Sequence, residues 1–167
     1  MMKKIGIYGW IIIISLFVLD LVTKYWAYLN QPSFLIMKYF GIIYTENPGF
    51  SFGLRLIATE GWTHAINMVV HTSMVLFVLF MLKYYLHIGK YFTCIGLAGV
   101  FGNYVNRIFY GRVVDFIYYG WCIGNVADIC IMIGFVGLAY RVWEDRNNKT
   151  FRLLYGNIFE NIKKYIN

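Results

Sequence analysis

The chain has 167 residues, of which 60% are hydrophobic and 14% charged, with a net charge of +7. A mean hydropathy of +0.59 excludes an ordinary soluble domain of this length and fits one small polytopic membrane domain. Nucleic-acid binding is also disfavoured, because the basic residues form no stripe interleaved with stacking aromatics and fall at the ends of apolar runs.

Four spans are predicted, each near the roughly 20 residues that cross about 30 Å of hydrocarbon. The first runs from Ile5 to Trp26, is uncharged through Leu19, and then carries Asp20 and Lys24. Lys3 and Lys4 before it resemble the start of a secretory leader. No small-x-small cleavage pattern follows, so the segment is expected to be retained. An outer loop, 30–61, comes next. It holds a strand-like stretch, Lys38 to Glu46, ended by the turn signal Asn47-Pro48-Gly49. The second span is Trp62 to Leu82, the third Tyr91 to Ile108 and the fourth Asn125 to Trp143. A short outer loop, 109–124, joins the last two. In the tail, Phe151, Leu154, Tyr155, Ile158, Phe159 and Ile162 lie at helical spacing, which predicts an amphipathic helix on the inner membrane surface.

The expected architecture is therefore an all-α polytopic membrane protein of four transmembrane helices with a small extracytoplasmic, β-containing loop region. Residues 1–143 would be the membrane domain and 144–167 a cytoplasmic tail. Orientation follows from Lys and Arg. Lys3, Lys4, Lys83, Lys90, Arg141, Arg146, Lys149, Arg152, Lys163 and Lys164 lie on one side, and Lys24, Lys38, Arg55, Arg107 and Arg112 on the other. That bias predicts both termini in the cytoplasm.

Asp115 and Asp128 are two of only eight acidic residues, and both lie in apolar sequence. A carboxylate at membrane depth is costly and usually faces a bundle interior or serves a function. Two that converge can share one proton, since both cannot easily ionise at close range. Around them stand further polar groups predicted on the same outer side. Asp20 and Lys24 are four apart and able to pair on one helix face, as are Asn103 and Arg107; Asn125 and Asp128 are three apart. Ala127 leaves room beside Asp128, and Asn47 sits in the turn. Each could serve structure alone, and Asp20–Lys24 reads first as a satisfied pair.

Other chemistries find less support. Cys94, Cys122 and Cys130 are odd in number and have no C-x-x-C spacing. His64 and His71 lack a third ligand, and there is no H-E-x-x-H, so no metal is expected. Gly49-Phe-Ser51-Phe-Gly53 matches G-x-S-x-G without the strand-turn-helix context that a nucleophilic serine needs.

Five pieces, in order, resemble the lipoprotein signal peptidase (signal peptidase II) family of bacterial membrane aspartic proteases. They are Asp20-Leu-Val-Thr-Lys24, Asn47-Pro-Gly49-Phe-Ser-Phe52-Gly53, Gly102-Asn103-Tyr-Val-Asn106-Arg107, Val114-Asp115-Phe116 and Asn125-Val-Ala127-Asp128. The chain departs from the family pattern at Val100, Asn106 and Gly124, where a Gly, an Asp and an aromatic are favoured, and in a short Asp115–Asp128 interval.

The resemblance implies Asp115 and Asp128 as the catalytic pair. It implies supporting or substrate-binding roles for Asp20, Lys24, Asn47, Gly49, Asn103, Arg107, Asn125 and Ala127. It implies no cofactor, and a substrate made of lipid-modified prolipoproteins whose diacylglyceryl group stays in the membrane lipid. The expected protein is a monomer in the bacterial inner membrane that cuts before the lipidated Cys near the outer face. Two alternatives remain at this stage: a non-catalytic relative that binds lipidated segments, and a small proton- or cation-handling membrane protein.

Overall fold

The computed structural model describes residues 5–48, 69 and 89–146. Apart from Val69, the predicted span from Trp62 to Leu82 lies outside the described residues, as do the predicted tail helix, Gly49, His64 and His71.

Helix α1 runs Ile7–Asn30. It ends where Gln31 adopts a left-handed φ of 41° and donates its N–H to Ala27 O; Pro32 then blocks continuation. Helix α2 covers residues 89–110. Gly111, with φ 68°, closes it by donating its N–H to Arg107 O at 3.1 Å. Helix α3 runs Val126–Arg146. Strands β1 (Ser33–Met37) and β2 (Phe40–Asn47) follow α1, while β3 (Val113–Tyr118) and β4 (Ile123–Gly124) lie between α2 and α3. They form one antiparallel sheet in the order β1-β2-β3-β4.

The predicted all-α, four-helix architecture is corrected by this sheet. Among the described residues there are three helices and four strands. Two of those helices, α1 and residues Val126–Asp145 of α3, are long and apolar enough to cross a membrane. The physical reason is local. Val-Val-Asp-Phe-Ile-Tyr is apolar enough to read as the rim of a span, yet its β-branched and aromatic residues suit a pleated surface. The 38–46 stretch, expected to be a small loop feature, provides the partner: Thr45 pairs with Asp115 and Asn47 with Val113.

The helices meet through small residues. A Cβ on Gly134 of α3 would lie 2.5 Å from the Gly96 Cα of α2, so these two backbones touch. In lipid, where apolar burial drives little association, such close approach is what helix packing rests on. Ile13 of α1 packs with Cys94 and Leu97 of α2. Gly9 sits beside Cys94, Gly102 beside both Asp20 and Ala127, and Gly96 beside Gly134. Hence α1 and α2 run parallel and α3 runs against them. Ile11, Ile14, Val18 and Val22 remain exposed on α1, an apolar surface suited to lipid.

A side-chain pair joins β2 to the residue that follows α2. Tyr44 Oη donates to Glu46 Oε1 at 2.7 Å, and Arg112, just past α2, pairs with the other Glu46 oxygen. The Tyr44 hydrogen bond is the main reason that Glu46 stays below its ordinary carboxylate range.

Candidate active site

The N-terminus of α3, the C-terminal halves of α1 and α2, and strand β3 converge on one buried polar cluster. Asp20, Lys24, Asn103, Arg107, Asp115 and Asn125 are all buried, while Asp128 is half-buried. Buried polar groups must find partners, because each unmade hydrogen bond costs about 1–3 kcal/mol, and these groups largely satisfy one another.

Asn125 caps α3. Its Oδ1 accepts the Asp128 N–H at 3.0 Å, and Asp128 Oδ2 accepts the Asn125 N–H at 3.2 Å. This reciprocal cap satisfies two backbone donors around the start of the helix. A third donor, the Ala127 N–H, goes to Asp20 Oδ1 at 2.8 Å. Four residues singled out from sequence thus meet at one helix end, whose partial positive charge favours carboxylates.

Lys24 fixes the rest. Its ammonium can only donate. It gives one hydrogen bond to Asp20 Oδ2 at 2.7 Å and one to Asn103 Oδ1 at 2.8 Å. With its carbonyl oxygen turned to Lys24, Asn103 must present its NH2, and Nδ2 donates to Asp128 Oδ1 at 2.8 Å. Asn125 is oriented by the same logic. Its oxygen is committed to the Asp128 N–H, so Nδ2 faces Asp115 Oδ1 at 2.5 Å and Asn103 Oδ1 at 3.2 Å. Asn47, at the end of β2, donates to the other Asp115 oxygen at 3.2 Å.

Asn125 therefore bridges the two candidate carboxylates, side chain to Asp115 and main chain to Asp128. Burial first, and the neighbouring Asp128 charge second, push the Asp115 carboxyl up to about 6, against the opposing pull of its Asn125 and Asn47 donors and of Lys24. Asp115 is the more deeply buried of the two, and each accepts two N–H donors, Asp115 from Asn125 and Asn47 and Asp128 from Asn103 and the Asn125 main chain. Among the described residues no cluster of three or more His, Cys, Asp or Glu side chains is placed to hold a metal ion.

The structure brings together Asp20, Lys24, Asn47, Asn103, Asp115, Asn125, Ala127 and Asp128. Arg107 is buried one turn beyond Asn103, and Gly49 lies outside the described residues. Gly102 belongs with the cluster for a steric reason, since a Cβ there would drive into the Asp20 carboxylate. Sequence reasoning missed Tyr119. Its ring lies 3.4 Å from where a Cβ on Gly124 would be, and that same point is 3.0 Å from Asp128 Oδ2. Nothing in a Tyr-Tyr-Gly turn announces this.

Comparison with known proteins bears out the family resemblance. A family model described as signal peptidase (SPase) II matches residues 12–144. The lipoprotein signal peptidase of Wigglesworthia glossinidia brevipalpis is 36% identical over 145 residues, 78% of this chain and 90% of that protein. That of Clostridium novyi (strain NT) is 33% identical over 144 residues, 77% and 93% of the two chains. A solved bacterial membrane enzyme, determined by the in meso method, superposes with a TM-score of 0.72 at 24% identity, covering 89% of this chain and 96% of its own, a likeness of fold.

Proposed function

The chain belongs to the signal peptidase II family of proteases, and from that membership we propose that it is an aspartic endopeptidase that removes signal peptides from lipid-modified prolipoproteins. The observation that carries the aspartic reading is the Asn125 bridge, with Nδ2 on Asp115 and the main-chain N–H on Asp128.

In this mechanism Asp128 is the ionised partner and Asp115 the protonated one. Asp128 takes a proton from water as the oxygen attacks the scissile carbonyl carbon. Asp115 gives its proton to the carbonyl oxygen as that oxygen gathers charge, leaving a neutral tetrahedral diol. Collapse re-forms the carbonyl, with the hydroxyl proton returning to Asp115. The C–N bond breaks, and the proton on Asp128 passes to the departing amine of the lipidated Cys. Lys24 and Asn103 keep a donor aimed at Asp128, and Asn47 and Asn125 hold Asp115 in place.

Incubating the purified chain with a diacylglyceryl-modified prolipoprotein should release the signal peptide, read by mass spectrometry. A folded sample that leaves this substrate intact sinks the proposal. The pH dependence has a definite sign. The Asp115 carboxyl, raised to about 6, must carry its proton into the reaction, so kcat/KM should fall as pH rises through about 6. A profile still climbing well above that pH would contradict Asp115 as the acid.

The protein is a membrane protein, and we place it in the bacterial inner membrane with both termini cytoplasmic and the carboxylates near the outer face, from the Lys/Arg bias. Single cysteines introduced by Glu46→Cys and Asn148→Cys report this: an impermeant thiol reagent on intact cells should label the first and spare the second. The opposite pattern would put the site on the cytoplasmic side.

A further inference from the structure

The β3–β4 turn carries a polar group that the mechanism above leaves unused. Tyr119 follows β3, and its N–H donates to Cys122 O at 2.9 Å, closing the turn. Gly120, at φ 86°, allows the chain to reverse there. The turn directs the Tyr119 ring back over Gly124. Ring and Asp128 carboxylate flank the space that a single β-carbon on Gly124 would take.

The Tyr119 hydroxyl is buried and has no hydrogen-bond partner among the described residues. A buried tyrosine hydroxyl normally finds one. Burial first, and then the Asp128, Cys122 and Asp115 charges, push the phenol up to about 12, so it keeps its proton and donates. The Tyr119 ring and the Asp128 carboxylate meet at Gly124, and the Asp128 and Asp115 charges both act on this phenol, so it lies in the neighbourhood of the candidate pair.

We infer that the Tyr119 hydroxyl is a further catalytic donor, hydrogen-bonding the scissile carbonyl oxygen beside protonated Asp115. This rests on the aspartic-protease reading. The bound substrate gives the buried hydroxyl its acceptor, and the bond strengthens as the carbonyl oxygen gathers charge. Gly124 has its own part in this. A β-carbon there would fill the space between ring and carboxylate and press on Asp128 Oδ2.

Tyr119→Phe isolates the hydroxyl, since the ring that packs over Gly124 stays. With the full chain and a lipidated prolipoprotein, kcat should drop about 10²-fold, the effect of removing one donor to a developing oxyanion, while KM and melting temperature stay near the natural values. A purely structural Tyr119 would leave kcat unchanged in the Phe variant and fail only in Tyr119→Leu, which also loses the aromatic ring. Native-level turnover by Tyr119→Phe, alongside an active natural chain, overturns this inference alone. A natural chain without turnover removes the protease reading and this inference with it.

Discussion

Asp115→Asn and Asp128→Asn should each lower kcat by about 10²- to 10⁴-fold, the scale of losing one general acid or base, while the protein still folds. An amide can neither receive the water proton nor deliver one to the carbonyl. The two variants test structure as well as catalysis. Asp115 accepts Asn125 Nδ2 through Oδ1 and Asn47 Nδ2 through Oδ2, and Asp128 accepts the Asn125 N–H through Oδ2 and Asn103 Nδ2 through Oδ1. Asn keeps one acceptor oxygen for two donors at either position, so each variant should lose a modest part of its stability as well as its activity. Thermal unfolding in detergent beside a cleavage assay reads both. Turnover within tenfold of the natural rate by either variant would rule out the two-carboxylate mechanism.

The polar set was legible in the sequence because charge and amide residues are scarce in this chain, so each one in an apolar context stands out. Asp20 and Lys24 do pair across one helical turn, and Asn125 and Asp128 do face the same way, because spacing of three or four along a helix fixes direction. What spacing could not give was the direction of each amide. That depends on a chain of donors that begins at Lys24 and crosses from α1 to α2 to α3. The sheet was only partly legible. Hydropathy measures how apolar a segment is and not which hydrogen-bond partner it will find. For Val113–Tyr118 the partner is β2, more than sixty residues earlier in the chain. Tyr119 was hidden for a related reason: its position follows from a turn and from the missing side chain at Gly124, and neither leaves a periodic trace.

Asp20→Asn should destabilise the fold by about 3–5 kcal/mol, the range for breaking one side of a buried ion pair. Lys24 is 2% exposed and Asp20 1%, so removing the carboxylate strands a cation where water cannot reach it. The Asn oxygen can still accept the Ala127 N–H that Asp20 Oδ1 accepts, which limits the damage to the lost charge. Adding Lys24→Met to Asp20→Asn should then restore much of the stability, because the stranded charge goes with it. Activity should not return with it. Without Lys24, the Asn103 oxygen keeps only the 3.2 Å hydrogen bond from Asn125 Nδ2, and the donor to Asp128 Oδ1 is less firmly fixed. Unfolding midpoints of the two variants, measured beside their cleavage rates, test both halves. If Asp20→Asn unfolded like the natural chain and yet were inactive, Asp20 would be acting in the chemistry rather than holding α1 to α3. A double variant that recovered stability and activity together would show that the path from Lys24 through Asn103 does not orient the pair.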